Sequence, residues 1–275
     1  MTSRSRTRTI VIYAALVAIA SVQVLPLMFA LTTSLKTLDD AYVFPPSLTV
    51  ADPQWGNYLD AFAKLPFGRF MLNSALITLA AVTGAVFSSS MAGYALARLP
   101  WRGKRFWFVL LLGSMMLPSQ VLLIPHFLTF DMLGWIGTYK PLIVPAWLGG
   151  GAFNVFVFRQ FFRTIPRSVE EAALVDGATR WGFYRHILMP MSKPAIVTVA
   201  VLSFVYHWRS FLGPLLYLSD FRTFPVALGL RMYQSMAGTW INLLMAASVV
   251  ALIPVLLVFA AGQRFLRSGS AQSRG

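Results

Sequence analysis

Residues 241–263 read INLLMAASVVALIPVLLVFAAGQ, a run without one charged side chain. About 20 predominantly apolar residues in an α-helix cross the hydrocarbon core of a bilayer. Helix is the conformation to expect there, because lipid offers no partner for an unpaired backbone N–H or C=O. The run is apolar on all sides, so it belongs in lipid or inside a large assembly rather than on the wet face of a soluble domain. Pro254 is no objection, since neighbouring helices can cover the backbone groups it frees.

Five other stretches carry the same signature: Ile10–Leu31, Leu72–Ala97, Phe106–Phe127, Pro141–Phe161 and Ala195–Leu218. Phe106–Phe127 contains Pro118 and Pro125. The expectation is an all-α, polytopic membrane protein with six transmembrane helices. Composition agrees: apolar residues make up 57% and charged residues 12% of the 275, about half the charge of a soluble domain. There is no cysteine, which excludes disulfides and thiolate metal sites. The first stretch follows Arg4, Arg6 and Arg8 and so has the basic start of a signal peptide. Its apolar run is longer than a signal core and no small-x-small cleavage site follows, which favours an uncleaved helix.

A net charge of +14 raises the possibility of a nucleic-acid partner. The placement of the charges excludes it, because the basic residues fall in short gaps between apolar runs rather than on one soluble face. With the N-terminus inside, sixteen Lys and Arg lie in inner segments and six in outer loops, whereas three acids are inner and six outer. This is the positive-inside bias, and it places both termini in the cytoplasm of a multi-pass protein of the cell membrane. The chain then divides into residues 1–31 (N-terminus and first helix), an extracytoplasmic loop 32–70, a transmembrane domain 71–263 with a long inner loop 162–194, and a cytoplasmic tail 264–275, which ends in a Ser/Gly/Arg stretch expected to fray.

The inner loop reads IPRSVEEAALVDGATRWGFYRHILMP over residues 165–190. Ser168 with Glu171 three residues later has the spacing of a capping box and predicts a helix start. Gly177 can take the left-handed conformation that ends one. A second helical piece is expected from Thr179 to Leu188, stopped by Pro190. Ala172 and Ala173 are small enough to let another surface approach the backbone. Glu170, Glu171 and Asp176 are the only acids on the cytoplasmic side. The residues alone leave open an ordinary amphipathic connector or a docking element.

The same loop resembles the cytoplasmic signature of binding-protein-dependent ABC importer permeases, E-A-A, three residues, G, nine residues, I-x-L-P. Glu171-Ala172-Ala173, Gly177, Ile187 and Pro190 stand at the matching positions, and Met189 replaces Leu. Asn73-Ser74, Tyr94-Ala95-Leu96-Ala97-Arg98, Pro118-Ser119-Gln120 through Ile124-Pro125, and Ser34-Leu35-Lys36 with Phe44-Pro45-Pro46 are similar to the carbohydrate branch, most of all to the second permease subunit of maltose-type importers. The resemblance implies a type I importer permease fold. It also implies a coupling helix that docks on separate ABC ATPase subunits, a second permease subunit of a different sequence, and an extracytoplasmic solute-binding protein delivering a sugar or related solute. Glu170, Glu171, Ala172, Ala173, Asp176 and Gly177 then belong to an interface, and ATP is hydrolysed by the partner. The chain departs from the family at Trp208-Arg209-Ser210-Phe211, where Trp-Asn-Glu/Asp-Phe is usual, and at the short tail Arg267-Ser268-Gly269-Ser270.

Other chemistries find no footing. Gly103-Lys104-Arg105 lacks the spacing and the hydroxyl of a phosphate-binding loop, so no nucleotide cofactor is expected on this chain. A proton-coupled carrier, the first alternative, usually places an acid in the membrane, and none of the nine acids falls in an expected span. An intramembrane hydrolase, the second, would need an acid pair or a nucleophile with its base, so no catalytic residue is assigned. No metal site is expected. Four residues are candidates for the solute pathway. Arg209 is a cation within the expected span Ala195–Leu218, where a charge is costly; it either lies near the outer end, snorkelling or pairing with an outer-loop Asp, or faces the solute pathway. Trp208 offers a ring for sugar stacking, His207 flanks it, and Gln120 follows the break expected at Pro118. Ser88-Ser89-Ser90 with Gly84 and Gly93 reads as a close-packing surface between helices.

Overall fold

The computed structural model describes residues 3–235 and 238–271, with side chains over 9–234 and 238–263. Arg4, Arg6, Arg8, Arg264, Arg267 and Arg274, counted above for orientation, lie outside the described side chains. In chain order the helices are α1 (Ser3–Ser34), α2 (Leu38–Ala41), α3 (Gly56–Lys64), α4 (Phe67–Ala97), α5 (Lys104–Ser114), α6 (Leu123–Met132), α7 (Lys140–Trp147) and α8 (Ala152–Thr164). There follow α9 (Arg167–Val175), α10 (Arg180–Phe183), a π-helical turn (Tyr184–Leu188), α11 (Met189–Met191), α12 (Lys193–Trp208), α13 (Leu212–Tyr217), α14 (Val226–Gly229) and α15 (Ile241–Ala271). The only described strands are the two-residue pair β1 (Gln234–Ser235) and β2 (Gly238–Thr239), antiparallel with Gln234 opposite Thr239.

Among the described residues, four stretches are long and apolar enough to cross a membrane: Thr9–Ser34, Phe67–Ala97, Lys140–Thr164 and Ile241–Gln263. The pair Arg180–Met191 and Lys193–Trp208, bent by 77°, makes a fifth if it counts as one span. The expected continuous span Phe106–Phe127 is instead two helices of 11 and 10 residues, α5 and α6. At 1.5 Å per residue each is about half the length needed to cross. The interruption surrounds Pro118, which has no N–H to continue a helix. Pro125 falls in the first turn of α6, where N–H groups have no intrahelical partner in any case. The expected span Ala195–Leu218 stops at Trp208 and resumes as the separate α13. At the C-terminus α15 continues helically to Ala271, through most of the stretch expected to fray; residues 272–275 lie outside the described ones.

The chain forms two compact units. The first comprises residues 1–68 and 229–253. Here the long outer loop is organised around Asn57. Its amide donates to the carbonyls of Ser34 at 2.9 Å and Lys36 at 2.8 Å, closing the C-terminal end of α1, and its carbonyl accepts from Asn242 at 3.1 Å. Tyr233 is fully buried and donates to the Ala61 carbonyl at 2.7 Å. Burial pushes its phenol up to about 12.

The second unit comprises residues 69–228 and 254–275. Its helices approach closely because small residues face them. A Cβ on Gly84 would run into the Trp147 ring, and one on Gly93 would meet the Phe158 Cβ at 2.7 Å. Ser88 Oγ donates to Gly84 O at 2.8 Å and lies 2.9 Å from Ala146 O, so the hydroxyl is spent between two helices. In a bilayer such packing replaces the hydrophobic drive that lipid cannot supply. Asn73 and Ser74 have a structural task. The Asn73 amide donates to Arg222 O and Phe224 O, and Ser74 Oγ accepts from Val226 N at 2.7 Å, which fixes the start of α14.

Candidate functional site

The loop between α8 and α12 forms a braced corner. Helix α9 starts at Arg167, one residue before Ser168, and the expected capping box is not made. Pro166 occupies the N-cap position with ψ 143° and no side chain caps the helix. Pro166 therefore sets the entry to α9, and Ser168 is already inside the first turn, too late to cap it. The C-terminus follows expectation. Gly177 has φ +86°, Gly177 N–H donates to Leu174 O, and Ala178 N–H donates to Ala173 O at 2.9 Å. These two bonds are a Schellman motif, which satisfies carbonyls that the last helical turn leaves open.

The next helix is capped by Thr179, whose hydroxyl accepts from Gly182 N at 3.0 Å. Pro190 does not stop this segment, contrary to the sequence reading. The turn before it widens to π geometry, with Met189 N–H donating to Tyr184 O, and the helix runs on to Met191. The wider turn lets the chain pass a residue that has no N–H. The break comes at Ser192, which is buried and donates to Leu188 O at 2.7 Å.

Behind this corner lies one apolar cluster. Phe158, Phe162 and Ile165 from the end of α8, Ala173 from α9, Phe183, Tyr184 and Leu188 from the following turns, and Tyr94 and Ala97 from α4 are all buried together. Removing a side chain of this size from water is worth about 2 kcal/mol. Two polar ties add direction. Ser90 and Tyr184 hydroxyls meet at 2.7 Å, and Tyr94 OH donates to Arg180 O at 3.2 Å.

Arg98 holds the corner to the end of α4. Its Nε donates to Phe162 O at 3.1 Å, Nη2 donates to Phe162 O at 2.6 Å and to Ile165 O, and Nη1 lies 3.5 Å from Glu170 Oε2. One guanidinium thus caps α8 and pairs with the first turn of α9. The sequence reading counted Arg98 only as a topology charge and as part of a resemblance. An arginine directly after a long apolar helix, facing a loop that holds the only nearby acids, was the signal available.

The six expected interface residues therefore divide. Glu170 and Ala173 turn toward this chain's own core, three residues apart on one helical face. Glu171, Ala172, Asp176 and Gly177 are exposed. Beside them Leu174, Val175 and Trp181, which were not singled out, are also exposed; Val175 is 88% accessible. Leu174 and Val175 lie in α9 and Trp181 in α10, on either side of the Gly177 turn.

The four expected pathway residues are not one cluster. Gln120 is exposed in the turn between α5 and α6, next to Ser119. Arg209 is the C-cap of α12 and exposed, so it terminates the span rather than lying within it. Trp208 is buried, with its ring stacked on Phe204 at 5.4 Å between centroids. His207 is half-buried against Tyr206. Among the described residues no group of three His, Cys, Asp or Glu is placed to hold a metal.

Comparison with known proteins agrees with this architecture. The chain is 31% identical over 258 residues to the arabinooligosaccharides transport system permease protein AraQ of Halalkalibacterium halodurans, covering 91% of this chain and 90% of that protein. It is 34% identical over 249 residues to the sn-glycerol-3-phosphate transport system permease protein UgpE of Pectobacterium atrosepticum, covering 86% and 87%. Its fold is similar to a chain of a bacterial ABC transporter involved in import of the acidic polysaccharide alginate, with TM-score 0.83, 21% identity and coverage of 96% and 98%. Residues 84–269 match the family described as the binding-protein-dependent transport system inner membrane component, and the chain belongs to that family: it is a multi-pass permease of an ABC importer, a transport component and not an enzyme.

Proposed function

We propose that this permease forms half of the path for a sugar or sugar derivative handed over by an extracytoplasmic binding protein, with a second permease chain forming the other half. In this reading both termini and the 162–194 loop are cytoplasmic, residues 32–70 are extracytoplasmic, and the α5–α6 pair completes a sixth crossing. The loop docks on a separate ATPase through Glu171, Ala172, Leu174, Val175, Asp176 and Trp181. Glu170 and Ala173 brace it from behind, and Gly177 shapes its end. The observation that carries the proposal is a short helix anchored on one face by Arg98 and the apolar cluster, with acids and uncovered apolar groups on the other. A helix held that way passes displacement to α8 and α12 instead of deforming locally. ATP-driven closure of the partner would move it, and the bent junction at Ser192 leads that movement into α12.

The sugar assignment is supported by the substrates for which two relatives are named, arabinooligosaccharides and sn-glycerol-3-phosphate. The test is co-purification of this chain with its ATPase. Glu171→Lys with Val175→Asp should release the ATPase from a permease that still inserts. Full retention by that variant would sink the docking assignment.

A further inference from the structure

Lys104 stands at the start of α5, Arg159 and Arg163 in the last turns of α8 and Arg167 at the start of α9, near enough that the fields of Arg159, Arg167 and Arg163 all bear on the Lys104 ammonium. The Arg159 guanidinium lies 3.6 Å over the Phe108 ring, and Phe108 stacks on Phe156. Arg159 Nε is buried and has no hydrogen-bond partner among the described residues. The one ion pair among those residues is Arg98 with Glu170, so none of the four cations is paired with a carboxylate. Lys104 donates to Leu99 O at 3.3 Å, and its ammonium is held below the usual lysine range, first by burial and then by the fields of Arg159, Arg167 and Arg163. Arg167 also stands at the first position of α9, where the helix dipole disfavours a cation. Positive-inside topology accounts for cations near this face. It does not account for four that converge on one another, one with a buried and unused donor.

We propose that this cluster binds the phosphate of an anionic phospholipid in the leaflet on the side of the coupling loop. Depth favours a lipid. Phe108 lies in the first turns of α5 and Arg159 near the end of α8, so in the proposed orientation the guanidinium comes at the end of the expected span Pro141–Phe161. Arg163 and Arg167 are exposed just beyond it. A headgroup phosphate there supplies acceptors for Arg159 Nε and offsets the repulsion on Lys104. The cluster sits directly behind the start of α9, so an occupied site would steady the loop that meets the ATPase. This last step, and the leaflet, rest on the orientation and docking described above.

The test uses the whole transporter in nanodiscs of phosphatidylcholine mixed with phosphatidylglycerol, and reads the fraction of each spin-labelled lipid that is immobilised. Wild type should prefer phosphatidylglycerol, and the preference should fall about fivefold for each cation neutralised. Arg159→Gln is the sharper variant; the exposed change Arg163→Gln combined with the part-buried Lys104→Gln keeps the test decisive if Arg159→Gln does not insert. Equal preference in wild type and the double variant would overturn the proposal. Displacement of the labelled lipid by inorganic phosphate would also overturn it, by showing a site for free anions. So would loss of the ATPase from the double variant with lipid preference intact, since the cluster would then be a protein interface. Wild-type ATPase co-purification is scored in parallel, so a failure of the docking assignment is seen separately from a failure of lipid binding.

Discussion

Arg98 and Glu170 meet at 3.5 Å, with the arginine side chain only 4% exposed, and through this contact the end of α4 holds the first turn of α9. The same guanidinium occupies the carbonyls of Phe162 and Ile165. Arg98→Ala strands three acceptors at once. Removing one partner of a buried pair costs about 3 kcal/mol, so we expect a lower thermal midpoint in detergent and loss of ATPase stimulation by the binding protein. Arg98→Lys keeps the charge but not the fork, and should recover only part of both.

Gly177 is required for its backbone and not for space. A Cβ there meets nothing within 4 Å, yet φ is +86°. Gly177→Ala should cost about 1 kcal/mol, and Gly177→Asn less. Equal thermal stability of the alanine variant and wild type would show that the Schellman turn is not needed.

Gly93 is the opposite case. It is helical, and a Cβ would press on Phe158 at 2.7 Å. Gly93→Val should force α4 from α8, cost about 3 kcal/mol and reduce the amount of folded permease recovered. Phe158→Ala in the same chain should not relieve the clash, because alanine keeps the Cβ in contact and the next atoms met, Arg159 N and Phe158 C, are backbone.

Tyr233→Phe removes the bond to Ala61 O and should cost about 1 kcal/mol at neutral pH. The wild-type phenol ionises near 12 when folded and near 10 when unfolded. Its contribution is therefore complete below pH 10 and is lost as pH rises from 10 through 12. The wild-type unfolding midpoint should fall more steeply over that window than that of Tyr233→Phe.

Arg209 ends α12 with its side chain exposed. If it contacts the solute, Arg209→Ala loses a charge-assisted hydrogen bond and raises the half-saturating solute concentration about tenfold. ATPase co-purification should be unchanged. Unaltered uptake kinetics would assign the side chain to snorkelling.

Membrane class, helical content and the left-handed turn at Gly177 were legible in one dimension. Apolar runs of bilayer length, charges confined to their gaps, and the spacing of Glu171, Gly177 and Pro190 are local properties, and lipid leaves the backbone almost no choice but helix. Where a helix breaks was less legible. Pro118 interrupts the chain between α5 and α6, whereas Pro190 is absorbed by a π turn, because the outcome depends on whether neighbours cover the freed carbonyls. The tertiary structure alone decided which faces are used. Glu170 and Glu171 are adjacent and chemically alike, yet one pairs with Arg98 and the other faces out. That division follows from the angle at which α9 leaves Pro166 and from the surface formed by α4 and α8. Convergence of Lys104, Arg159, Arg163 and Arg167 is equally invisible along the chain, because electrostatic and packing contacts depend on distance in space between residues that three separate helices bring together.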